Sequence, residues 1–425
     1  MTFRYPGRRD VLRTATTLAA ASSFAGLSNA GAARAEADPA VNAALGQVDQ
    51  AMRQAVSSQT VPGVAAVGAT EKGIVYEGAF GPGVTADSIF WIASMTKAIT
   101  ATACMQLVEQ GKLQLEQQMG ALLPELQSPQ VLQGFDANGA PKLRPAKRPI
   151  TLRHLLTHTA GFTYAIWSEQ MTRYQKVTGT PDVGDCRNAA LNVPLEFDPG
   201  DRWEYGINID WVGKAVEAVS DQSLEVYFKE NLFGPLGMSD TGFLISSAQR
   251  ARVVPMHSRK ADGSLSPMAF EMPQRPEFFM GGGGLFSTPR NYLQFTQMLL
   301  HEGTFNGARL LKPETVALMR QNHIGDLNVE TLKTVQPNLS NDANLFPGMA
   351  QKWGLSFDIN TQQGPAGRSA GSLAWAGLFN TYFWIDPTRK VTGVVMTQLL
   401  PFADDGVLKL LAQLESGLYK AMTPA

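Results

Sequence analysis

Residues 88–107 read SIFWIASMTKAITATACMQL. An apolar, aromatic run leads into Ser94, Lys97 follows three residues on, and helix-compatible residues continue to Leu107 before Gly111 ends the run. At a helix N-terminus, a three-residue step is nearly one turn, so Ser94 and Lys97 share a face and the lysine reaches the serine oxygen. Serine is a poor nucleophile without a base beside it, and a desolvated lysine that loses its proton is such a base. The Ser94 N–H at the helix start is also placed to bind a developing oxyanion. Taken by itself the pair is also what a helix cap next to a lysine looks like, since serine caps helices. The aromatic lead-in, unusual for an exposed cap, suits a serine in a partly buried cleft.

Working outward, Val41, Leu45, Val48, Met52 and Val56 recur at helical spacing over 41–58. VPGVAAVGATEKGIVYEGAFG then reads as a hairpin around Glu71-Lys72-Gly73. Residues 112–280 carry helical patterns such as WVGKAVEAVS, broken by Pro/Gly-rich loops. A helix is predicted over 289–302, with Tyr292, Phe295, Met298 and Leu299 on one side. A second hairpin follows in NTYFWIDPTRKVTGVVMTQLL, and a last helix covers about 404–421. Strands near both ends must find a common sheet. The expected fold is therefore α/β (α+β): an antiparallel sheet flanked by the terminal helices, built from 36–110 and 281–425, with a mainly helical region inserted over 111–280.

The composition is that of a globular protein, with 44% hydrophobic and 17% charged residues. A net charge of −1 gives no reason to expect nucleic acid or an acidic membrane surface as partner. The leader combines Arg4, Arg8, Arg9 and Arg13 with an alanine-rich stretch and the small-x-small site Ala33-Arg34-Ala35. It reads as an export signal over 1–35, of twin-arginine type because Arg8-Arg9 are adjacent, so the expected location is periplasmic or secreted. No later run is long enough to span a bilayer. Two cysteines permit a disulfide without requiring one, and Cys104, in an apolar helical pattern, is expected as a buried free thiol. Five scattered histidines and no short Cys/His spacing give no zinc site, no metal or other cofactor is expected, and no G-x-S-x-G supports a histidine triad.

A Ser-Lys pair needs a third group to carry the proton to the leaving atom. FDPGDRWEYGINIDWVG offers Tyr205; a phenol beside a lysine is expected to have a depressed pKa and to act as base and then acid. GSLAWAGLFNTYFW offers Trp375-Ala376-Gly377, where a small residue lets a strand edge approach a ligand, and the Leu378 N–H is a candidate second oxyanion donor beside that of Ser94. Tyr164 and Trp167, just past LLTHTAGF, are candidate pocket residues. LLTHTAGF, PLEFDPG and MGGGGLFST read as scaffold loops whose glycines serve positive φ and close packing.

Ser94-x-x-Lys97, then Tyr205, then Trp375-x-Gly377, in that order, resemble the serine β-lactamase and penicillin-binding-protein superfamily. Together with LLTHTAGF, PLEFDPGDRWEY, GPLGMSDTGF, MGGGGLFST and WAGLFNTYFWIDP, over about residues 45–420, the text is most similar to the family VIII carboxylesterases, whose nearest β-lactamase relatives are class C. Two departures separate it from the β-lactamases. Position 207 is Ile where Tyr-x-Asn would place an amide, the nearest being Asn208, and Trp375 stands where Lys-Thr-Gly has its lysine. Both are like the esterase branch, as is Asp210, five residues past Tyr205, which with Asn208 is expected to act through the catalytic groups rather than touch substrate. The resemblance implies a serine carboxylesterase for small short-acyl esters, with Ser94 as nucleophile, Lys97 and Tyr205 moving the proton, the Ser94 and Leu378 N–H groups as oxyanion hole, and Trp375, Gly377, Tyr164 and Trp167 against the substrate. A class C-like β-lactamase, a D-amino-acid peptidase or amidase, a transacylase and a non-catalytic β-lactam receptor share the same motifs. Nothing in the sequence speaks to oligomeric state.

Overall fold

A computed structural model describes residues 39–422; the export signal read at 1–35 lies outside them. Within that span, helix α1 (Pro39–Ser57) leads into the hairpin β1 (Val64–Thr70) and β2 (Gly73–Phe80). Helix α2 is Thr96–Glu109, α3 Asn208–Ser220 and α4 Pro289–Leu300. The C-terminal part supplies β3 (Gln351–Trp353), β4 (Asp358–Asn360), β5 (Leu373–Gly377), β6 (Thr381–Asp386), β7 (Val391–Met396) and α5 (Asp405–Ala421).

These strands form one seven-stranded sheet in the order β3-β4-β5-β6-β7-β1-β2, antiparallel at every pairing. Both hairpins read from the sequence are present, and they join through the β7–β1 pairing, where Ala65 pairs with Met396 and Thr70 with Val391. Alternation along β6 sorts the two faces. Trp384 donates its indole N–H to Tyr419 of α5 at 3.3 Å. Its neighbour Phe383 points the other way and packs on Tyr292 of α4, ring centroids 5.2 Å apart. So α1 and α5 cover one face and α4 the other. Trp375 of β5 is directly opposite Phe383 and therefore shares the α4 face.

Helix α2 is buried from Thr96 to Leu107, which explains why its sequence is apolar and small on all sides rather than amphipathic. It packs against α3. Cys104 and Cys186 are both free and buried. Between α2 and α4 the chain also forms Glu169–Thr178 and several shorter helices, many single 3-10 turns, and the small hairpin Gln130–Pro145. Among the described residues no helix is long and apolar enough to cross a membrane.

Candidate active site

The helix expected to start at Ser94 begins instead with a 3-10 turn, Ala93–Met95, that feeds α2. Ala93 has φ +43°, in the left-handed region that a Cβ disfavours. That conformation lets the chain turn sharply from the short strand Phe90–Trp91 into the helix and leaves Ser94 partly exposed while its neighbours are buried. The strand is held by pairing with Phe286–Ser287. Gly377 closes the site from β5: a Cβ there would lie 2.2 Å from the Ile92 carbonyl oxygen, so only glycine lets this strand end lie against the segment entering Ser94.

Lys97 is fully buried. Its Nζ lies 3.2 Å from Ser94 Oγ and 3.0 Å from the Tyr164 hydroxyl, and it donates to the Gly282 carbonyl at 2.6 Å. Burial removes water from the ammonium and drives its pKa down to about 7, against the opposing pull of the Asp210 charge. Asp210 is also buried; burial raises it to about 6, and the Lys97 charge and the Gly282 N–H hold it lower than burial alone would. Its Oδ1 accepts that N–H at 2.8 Å. The Gly282 peptide therefore stands between the two, its N–H on Asp210 and its C=O on Lys97.

Gly282 belongs to a pattern absent from the sequence reading. Three successive carbonyls of the glycine run are each capped by a side chain from the segment around Ser94: Gly281 by Thr100 Oγ1 at 2.7 Å, Gly282 by Lys97, and Gly283 by Trp91 Nε1 at 2.6 Å. The signal was the run MGGGGLFST itself, taken for scaffold. These glycines do not have positive φ, contrary to the expectation for that loop. They are required for approach: a Cβ on Gly282 would sit 2.5 Å from Asp210 Oδ2.

Tyr205 is buried among rings, with His158, Trp375, Tyr164 and Trp167 at centroid separations of 4.8, 4.9, 5.3 and 5.5 Å. Lys97 Nζ lies 4.7 Å from the centre of its ring. The depressed phenol expected from a lysine neighbour is not found. Burial raises the Tyr205 pKa, and hydrogen bonds with Ser94 and Trp375 offset only part of it. The lysine is the group brought near neutrality. Trp375 was expected to wall the substrate; instead its buried indole N–H donates to the Tyr205 oxygen at 2.9 Å and its ring packs on Trp353 at 4.7 Å. Asn208 does not reach Lys97: its amide lies 3.0 Å from His158 Nδ1 and donates to the Phe162 carbonyl. His158, unassigned by the sequence, is buried and strongly disposed to stay neutral, by burial first and then by Lys97. Its carbonyl accepts from Glu204 N–H at 2.9 Å, so it steadies the loop that presents Tyr205.

Ser94, Tyr164, Trp167 and Leu378 line one cavity of about 120 Å³, bordered also by Trp91, Ile166, Met280 and Leu339. Gly377 and Trp375 are not in its wall. Sequence reasoning missed Trp91, Met280 and Leu339 because their shared position depends on segments far apart in the chain.

The Beta-lactamase family model matches residues 48–417. The chain is 31% identical over 413 residues to monacolin J acid methylbutanoyltransferase of Aspergillus terreus, covering 91% of this chain and 97% of that protein. It is 30% identical over 349 residues to lovastatin esterase of Penicillium rubens, covering 79% and 86%. Unliganded simvastatin synthase (LovD) from Aspergillus terreus superposes with a TM-score of 0.78 at 28% identity, covering 90% of this chain and 99% of that one.

Proposed function

Because the chain belongs to the beta-lactamase family, we propose that it is a serine carboxylesterase acting on small short-acyl esters through an acyl-serine intermediate. The observation that carries the reading is a buried lysine held near neutrality 3.2 Å from the Ser94 hydroxyl, at the edge of an apolar cavity. Neutral Lys97 takes the proton as Ser94 Oγ attacks the ester carbonyl. The Ser94 and Leu378 N–H groups receive the oxyanion. Tyr205, kept as a phenol by burial, gives its proton to the leaving alkoxide and is reprotonated at the expense of Lys97, so one proton moves in all from Ser94 to the leaving oxygen. Water then attacks the acyl-serine and the same groups run in reverse, releasing the acid.

Acyl transfer to an alcohol differs only in what replaces water in the second half. The similarity to a methylbutanoyltransferase over 91% of the chain favours testing it. With no lysine at position 375, the carboxylate of β-lactam substrates loses the partner that the Lys-Thr-Gly motif would supply, which supports esters over β-lactams.

The test is a series of p-nitrophenyl esters of graded acyl length, with and without an added alcohol, alongside a chromogenic cephalosporin. Wild type should favour short acyl chains over the cephalosporin. Ser94→Ala should lose ester turnover by at least about a thousandfold with an unchanged melting temperature. Undiminished turnover in that variant would refute the assignment.

A further inference from the structure

The cavity beside Ser94 has one charged side chain in its wall among the described residues, and its sign is negative. Asp182 borders the cavity together with Ser94, Tyr164 and Trp167. Its Oδ1 accepts the Gly184 N–H at 2.8 Å, which fixes the carboxylate at the rim as the cap of a short turn. No arginine or lysine lines the cavity, and Lys97 lies behind its wall, buried. The ring of Tyr164 meets that of Trp167 edge-on at 5.9 Å. Aromatic faces carry negative potential and attract compact cations, most strongly where water is thin, and a carboxylate beside them adds to that field. The field reaches the Tyr164 phenol, which burial raises first, then Asp210 and Tyr205, and Asp182 last. Rings and a fixed carboxylate in the wall, with the one nearby amine, Lys97, buried behind Ser94 and Tyr164, are the means of recognising an ammonium group and of disfavouring a carboxylate.

We propose that Asp182 is a specificity-determining residue that directs this site to esters carrying a cationic group, such as a quaternary ammonium on the alcohol or acyl part. The inference rests on the acyl-serine reading given above. An anionic substrate would have to place its charge near Asp182 with no basic side chain in the cavity wall to balance it, so the same residue selects against β-lactam-like acids.

Matched substrates isolate the charge. Choline butyrate is compared with its neutral isostere 3,3-dimethylbutyl butyrate, and the p-nitrophenyl ester of a trimethylammonio acid with the corresponding tert-butyl acid ester. The quantity read is the ratio of kcat/KM, cationic over neutral, in wild type and Asp182→Asn. The amide oxygen of that variant still accepts the Gly184 N–H, so the turn is retained. A wild-type ratio above one in at least one pair, falling about tenfold in Asp182→Asn and falling with added salt in wild type, is the expected result. The effect should lie in KM. Equal ratios in wild type and Asp182→Asn for both pairs, with the neutral esters still hydrolysed, overturn the proposal and leave the acyl-serine reading standing. Mass spectrometry of Ser94 separates the deeper failure: no turnover of any ester and no acylated serine would remove the acyl-serine reading, and this proposal with it.

Discussion

Lys97 touches three oxygens, and only one of them must take a hydrogen from it. The Gly282 carbonyl has no hydrogen to give, whereas the hydroxyls of Ser94 and Tyr164 can donate or accept. A neutral amine that gives one hydrogen to Gly282 keeps its lone pair for the Ser94 proton, which is the arrangement a general base needs. Ester kcat/KM should therefore rise with pH through about 7 as Lys97 loses its proton. The Asp210 charge works against that loss. Asp210→Asn keeps an oxygen for the Gly282 N–H and removes the charge, so the rising limb should move to lower pH; a limb that stays in place or moves upward in the pH profile would contradict it. At this scale Ser94, Lys97 and Tyr205 were legible because their spacing and order carry the signal. The roles of Trp375 and Tyr164 were not. One supplies a hydrogen bond to Tyr205 across 170 residues and the other meets Lys97 across 67, and no local pattern encodes such pairings.

Among the elements, β4 carries a cost that the sequence conceals. Asp358 is buried with no well-formed hydrogen bond to either carboxylate oxygen among the described residues, and burial raises its pKa to about 8 despite the nearby charge of Arg368 and the adjacent Ile359 N–H. Arg368 itself is committed to Glu415 of α5, with its Nε on Oε2 at 2.9 Å. In the unfolded chain an aspartate ionises near its ordinary value of about 3.9. From there up to about 8 the folded state holds a proton that the unfolded state has lost, so stability falls as pH rises through this window. Asp358→Asn should stabilise the protein by about 1–3 kcal/mol at pH 8 and by less at pH 5, measured by urea denaturation at both. A gain independent of pH would show that ionisation is not the source. The hairpins β1–β2 and β6–β7 were readable in advance, since their turn residues and β-rich runs are local signals. The short β3 and β4 were not, because three residues of strand offer no period to detect.

For the whole molecule, the expected antiparallel sheet is present: the two readable hairpins join edge to edge through β7 and β1, and the helices α1, α5 and α4 bury the faces of the sheet they make. What could not be read was which face would carry the chemistry. That is decided by Trp384 turning toward Tyr419 and Phe383 toward Tyr292, which puts Trp375 on the face where its indole meets Tyr205. The proposed acyl transfer thus depends on a sheet whose β7–β1 pairing joins residues about three hundred positions apart. Such pairing is slow to form but leaves the middle strands with no free edge.

The way α1 and α5 cover that sheet has a further consequence, for the order in which the chain is read. Gly417 of α5 packs on Val48 and the Ala44 carbonyl, while Gly406 near its start meets Thr60 just past the end of α1. The two helices run antiparallel, so Pro39 and Met422 lie at the same end of the pair. A short flexible link from 422 to 39 would close the backbone into a circle, and new ends could be opened at the exposed Asn138-Gly139 turn. The rearranged gene product should keep ester turnover within about tenfold of the original, measured on purified soluble protein. Connectivity at this end of the molecule would then be a matter of translation order alone.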